Sequence, residues 1–270
     1  MKKLLLAFLF LALNCHAQKK LDLKIEETVR EGKKLYKSEM ASWYGTDLFL
    51  EQYKNRENVG GYFSYSEDNV SKCIFFSKDE KPTVIGTIVF DETFDTKTAQ
   101  FNLIERSFTK DENDLYAIRA KALNLMKTDT IFKFYQNTNP NLIPIISNGE
   151  KKVYVLTGPS NTGVVIYGND YLITFDENNN LINRKSIHAN IIPVNYGEQK
   201  DIILSAMHSH LPSTGELITP TDICTTMLYE KFAGWESVMV MSQEYVSIWN
   251  CKKDELSVMT RKAFDKISKK

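Results

Sequence analysis

From Tyr62 to Met259 the chain is broken into short β-type runs, each closed off by turn-forming residues. Tyr62–Tyr65, Cys73–Phe76, Val84–Phe90 and Gln100–Ile104 are rich in aromatic and β-branched side chains. Clusters such as Ser66-Glu67-Asp68-Asn69 and Lys78-Asp79-Glu80-Lys81-Pro82 separate them. Such spacing returns the chain on itself, so an antiparallel meander is expected. Before it, Ile25, Val29, Leu35, Tyr36 and Met40 form a loose helical stripe, interrupted by Gly32.

A second unit follows. Thr109-Lys110-Asp111-Glu112 reads as a capping box opening a helix that carries Leu115, Ile118, Ala122 and Leu125. That helix is expected to run toward Phe134 and to end before Asn139-Pro140, where the residue before proline disfavours helix. Lys152–Leu156 and Gly163–Tyr167 flank a turn at Gly158-Pro159-Ser160-Asn161. Tyr171–Phe175 and Leu181–Ile187 flank a second at Glu177-Asn178-Asn179-Asn180, another hairpin. A strand over Ile202–Met207, a helix over Pro220–Phe232 and strands at Val238–Met241, Tyr245–Trp249 and Leu256–Met259 complete an α+β chain. Residues 261–270 read as a solvated, partly basic tail. No internal repeat or long flexible linker divides the chain.

Composition narrows the function. Lys and Arg total 34 and Asp and Glu total 34, interleaved, so no basic footprint for nucleic acid exists. With 43% hydrophobic and 25% charged residues, disordered and collagenous classes are excluded. Residues 1–17 read as a signal peptide. Lys2 and Lys3 are its positive start, Leu4–Leu13 its apolar run, and Cys15-His16-Ala17 its cleavage site, so a secreted or periplasmic protein beginning at Gln18 is expected. Lipidation at Cys15 is disfavoured by the large Asn14 before it. No segment approaches the ~20 apolar residues of a transmembrane helix. Cys73, Cys224 and Cys251 are odd in number and scattered; Cys224 and Cys251 fall at apolar-patterned positions and read as buried small hydrophobes, with one bridge among the three left open.

Chemistry concentrates in residues 207–222. His208 and His210 stand two apart at a strand end, so both imidazoles project from one face and can reach one metal ion. Asp222 offers a third ligand from the start of the next helix. Two histidines and a carboxylate leave a fourth position open, the pattern of a catalytic zinc, where bound water becomes a nucleophile at neutral pH. Thr219-Pro220-Thr221-Asp222 equally reads as a helix start, with Thr219 as N-cap and Pro220 in the first turn. His188 reads as a satisfied histidine at a strand end. A cupin site would need a further histidine after His210, and no G-x-S-x-G elbow or phosphate loop occurs.

The stretch resembles the JAMM (MPN-type) metallopeptidase family, whose pattern is H-[S/T]-H-P followed by S-x-x-D on a helix. His208-Ser209-His210 matches, with Pro212 displaced by Leu211, and Thr219-Pro220-Thr221-Asp222 stands for S-x-x-D. The resemblance covers residues 110–260 and implies a mixed sheet flanked by helices; residues 18–109 form an α+β region without a counterpart. It implies Zn(2+) held by His208, His210 and Asp222, Thr219 supporting an oxyanion, and a peptide or protein as substrate or ligand. Ser160 stands where the family carries its general-base glutamate, which serine cannot replace; Glu150, Glu177 and Glu216 are the carboxylates left for that part. The expectation is a secreted zinc peptidase or amidase. The alternatives are a non-catalytic JAMM-like binding module and a structural protein without metal.

Overall fold

The computed structural model describes residues 18–67, 69–196 and 204–269 in full, and residues 2–17 by backbone alone. The export signal read in residues 1–17, and the start of a strand at Ile202, therefore lie outside the fully described residues. Helix α1 (Lys2–Gln52) runs unbroken through Gly32 and Gly45. Both glycines mark crossings. A Cβ on Gly32 would lie 2.8 Å from the Ile223 Cβ, and one on Gly45 would lie 2.7 Å from the Cys73 Cβ. The feature that interrupts the helical stripe in the sequence is thus what lets the helix pack.

Strands β1 (Val59–Glu67), β2 (Val70–Ser77), β3 (Val84–Phe90) and β4 (Gln100–Asn102) form the expected meander in the order β1-β2-β3-β4. Its inner face packs on α1 through Ala41, Phe49, Phe75 and Ile88. Helix α2 (Lys110–Thr128) begins with the expected capping box, the Thr109 and Glu112 side chains each bonding the other's backbone N–H. It stops well short of Phe134, because Asp129 turns extended and pairs with Arg184.

Six strands follow: β5 (Thr138–Ser147), β6 (Glu150–Pro159), β7 (Val164–Gly168), β8 (Tyr171–Phe175), β9 (Leu181–Ser186) and β10 (Ile191–Asn195). A four-stranded sheet runs β5-β6-β8-β9, while β7 pairs with β10. The β8–β9 hairpin forms as expected. Strands β6 and β7 do not pair, because β6 is already bonded on both edges, to β5 and β8. The sequence reading has no strand at β5. It exists because Asn148 and Gly149 adopt φ of 52° and 77°, the conformation of a tight two-residue hairpin. As the edge strand of its sheet, β5 tolerates Pro140 and Pro144.

The last unit comprises β11 (Ser205–Ser209), α3 (Pro220–Ala233), β12 (Ser237–Met241), β13 (Tyr245–Asn250), β14 (Glu255–Thr260) and α4 (Arg261–Ile267). Its sheet is mixed, β11-β12-β13-β14, with β11 parallel to β12 and the other pairs antiparallel. The basic segment after Thr260 is helical rather than a tail, with the Thr260 side chain capping its first turn. A core of Val165, Tyr167, Ile218, Ile223, Trp235, Val240 and Trp249 locks β7, α3 and this sheet together. The α+β class holds throughout. Cys73, Cys224 and Cys251 are free thiols, the first two buried.

Candidate metal centre

Strand β11 alternates exposed and buried residues, so that Met207 is exposed while Ala206 and His208 point inward. The His210 N–H donates to Met241 O at 2.8 Å, which prolongs the parallel ladder past the strand end. Both imidazoles of the His-x-His pair therefore enter the interior, 6% and 7% exposed.

Asp222 reaches the same point from the other side. Thr219 caps α3, Pro220 occupies its first turn, and Asp222 closes a capping box. The Thr219 N–H and hydroxyl donate to Asp222 Oδ2 at 2.9 and 2.7 Å. This fixes a carboxylate that is 1% exposed. The Thr219 hydroxyl also meets Thr221 Oγ1 at 3.0 Å, so its hydrogen is committed to positioning Asp222.

A third histidine completes the cluster. His188 lies on the loop between β9 and β10, 7% exposed, with Nδ1 at 3.0 Å from Asp170 Oδ2. Gly168, at φ 85°, lets this loop come close: a Cβ there would lie 2.2 Å from Asn190 O. Asp170 holds the loop a second time, its carbonyl accepting from the Ile187 N–H at 2.7 Å. The remaining ring nitrogen, His188 Nε2, lies 3.2 Å from His210 Nε2 and 3.6 Å from Asp222 Oδ2. His210 Nε2 lies 3.1 Å from the same oxygen.

His188, His210 and Asp222 thus form a buried group that can hold a metal ion. Two donors bound to one tetrahedral zinc at about 2.0–2.1 Å stand roughly 3.3 Å apart, and the three separations bracket that value. His208 faces the other carboxylate oxygen, Nε2 to Oδ1 at 3.2 Å. That approach lacks hydrogen-bond geometry, and His208 Nε2, His210 Nδ1 and Asp222 Oδ1 are all buried without a hydrogen-bond partner. Of these, His208 Nε2 and Asp222 Oδ1 face each other across the cluster and fit a cation better than they fit one another.

The ionisable groups act strongly on one another. Burial alone would raise the Asp222 carboxyl, but His188 and His208 hold it well below the usual carboxylate range. Burial would lower His188, yet Asp222 and Asp170 lift it to about 10. His188 thus keeps a proton beside Asp222, and a bound metal ion would take that proton's place.

Of the expected ligands, His210 and Asp222 enter the group that can hold a metal, His188 is its third member, and His208 faces the other Asp222 oxygen. His188 and Asp170 are not in the sequence pattern, since a loop histidine gains meaning only when a distant Asp-bearing turn folds against it. Among the general-base candidates, Glu150 is spent on Lys152 at 2.7 Å. Glu216 accepts from the Glu244 N–H at 2.9 Å, and Ser242 and that N–H hold its carboxyl below the usual range, with His210 adding to the effect. Ser160 accepts from Asn139 at 3.0 Å. Comparison with protein-family models, with curated proteins and with solved structures finds no match. Among the described residues no helix is long and apolar enough to cross a membrane.

Proposed function

We propose that the chain is an exported zinc-binding protein of JAMM-like type whose metal tethers β11, the β9–β10 loop and α3, and which binds a peptide or protein partner without cleaving it. The observation that carries this reading is the enclosure of His188, His208, His210 and Asp222, each between 1% and 7% exposed. Four protein donors around a buried ion are the arrangement of structural zinc, whereas catalytic zinc keeps one position for water or substrate. In this reading His188, His208 and His210 hold the ion through Nε2 and Asp222 through its carboxylate, and zinc supplies a cross-link between three segments remote in sequence. Ser160 at the position of the family's glutamate supports the same view.

The metal-dependent peptidase or amidase is the second reading. It is favoured by the tight grouping of His188, His210 and Asp222 with His208 set on the far oxygen. With His208 as a neighbour rather than a ligand, three donors remain and the Lewis-acid position is open.

The test is metal content of the purified protein beside His188→Ala and the double variant His208→Ala/His210→Ala, followed by cobalt substitution. About one zinc per chain, lost in both variants, supports the site. A cobalt spectrum insensitive to added azide supports four protein ligands, and one that shifts with azide supports the open, catalytic form. Absence of zinc in folded, zinc-supplied protein overturns both.

A further inference from the structure

A cavity of about 330 Å³ lies between α1, the β5–β6 hairpin and α3, away from the metal residues. One face of α1 lines it with Glu39, Trp43 and Asp47, and Tyr62 and Tyr229 close the sides. Trp43 stacks on Phe232 at 5.9 Å and leans on Tyr229 at 6.2 Å, so its ring is held although it is 43% exposed.

Several of the lining hydroxyls and amides have their hydrogens committed within the protein. Ser42 gives its hydrogen to Ser64, Thr46 to Ser42 O, and Thr157 to Asn169 O. The Asn139 and Asn141 amides donate to Ser160 and to Glu39 Oε2. The second Glu39 oxygen has no protein donor among the described residues. No Lys or Arg lines the cavity itself; the Arg119 guanidinium, 5.8 Å from the Tyr62 ring, is the positive charge that acts on Glu39.

We infer that this cavity is a binding site for an organic ammonium group, with Glu39 and Asp47 as counter-ions and Trp43, Tyr62 and Tyr229 as its aromatic wall. Aromatic faces attract cations through the ring quadrupole, and the attraction grows as the site is desolvated. The state of Glu39 accords with this. Burial pushes its carboxyl up to about 7 despite Asn141 and the charge of Arg119, so the resident positive charge is too little, and an ammonium ion would supply the rest. The inference stands apart from the metal centre and survives its failure.

Calorimetric titration of the whole protein with n-butylammonium, choline and Nα-acetyl-lysine amide, with glucose and butyrate as neutral and anionic probes, tests it. Saturable binding of at least one ammonium probe is expected, with glucose and butyrate silent. The tightest probe tells a free amine from a lysyl side chain. Trp43→Ala and Asp47→Asn, both at exposed positions, should each weaken binding by about threefold or more. The inference is overturned if no ammonium probe saturates at millimolar concentration, if glucose or butyrate binds as well, or if both variants bind like the parent.

Discussion

Asp170 and His188 face each other in the interior, carboxylate Oδ2 to ring Nδ1 at 3.0 Å, and this contact decides which nitrogen of His188 is left for the cluster. A carboxylate accepting from Nδ1–H leaves Nε2 facing the cluster and makes it more basic, a ligand once a metal displaces its proton. Asp170→Asn should therefore weaken zinc affinity by about 10–100-fold, read by competition with a chromogenic chelator. An unchanged affinity would show that the pairing does not tune the site.

Removing the proposed zinc should cost stability, since its site cannot exist in the unfolded chain. Chelator-treated protein is expected to melt at lower temperature and to recover when zinc is returned. Asp222→Ala should lose that response and in addition leave three buried imidazoles without their carboxylate, a defect of about 3–5 kcal/mol. A variant that melts like the parent and still responds to zinc would remove Asp222 from the ligand set.

Thr219 joins helix start and site. Thr219→Ala deletes the N-cap acceptor and the hydroxyl on Asp222 Oδ2, and a loss of about 1–2 kcal/mol is expected in urea unfolding. Thr219→Ser keeps both contacts and should stay within about 0.5 kcal/mol of the parent. Equal losses in the two variants would mean that the methyl group, not the hydroxyl, matters there.

Gly32→Ala places a methyl group 2.8 Å from Ile223 Cβ, inside contact distance. The helix seam must open, at about 1–3 kcal/mol, although alanine is the better helix former in isolation. Stabilisation by this substitution would show that the seam is loose.

Burial pushes the Glu230 carboxyl up to about 7, with Asp254 adding to the effect. An acid raised in the folded state contributes stability fully below its unfolded value and loses it as pH rises through the folded one. The urea midpoint should thus fall between about pH 4.5 and 7 through this group, and Glu230→Gln should flatten that part of the profile. An identical slope in the variant would place the pH dependence elsewhere.

Local signals were legible where the physics is local. Val84–Phe90, Tyr171–Phe175, the Thr109–Glu112 capping box and the Pro220 helix start all sit where propensity and capping place them. The inward pairing of His208 and His210 follows from strand alternation alone. Pro140 and Pro144 hid β5, because their tolerance depends on the strand being an edge, which only the finished sheet decides. Strand β10 carries Pro193 and was hidden likewise. Gly32 reads as a break because its partner, Ile223, lies far away in sequence. His188 was hidden for the same reason: its loop is shaped by Gly168 and Asp170 across another turn.

The crossing of α1 over α3 at Gly32 and Ile223 also sets an order of events. The two helices come from opposite ends of the chain, so their seam cannot close until nearly all of it has been synthesised. Loop-closure entropy must be met before such distant contacts repay it, which slows folding. The meander can assemble on the C-terminal half of α1 early, whereas the half of α1 that covers Ile223 must wait for its partner. A fold whose last seam joins segments so far apart in sequence delays its own completion.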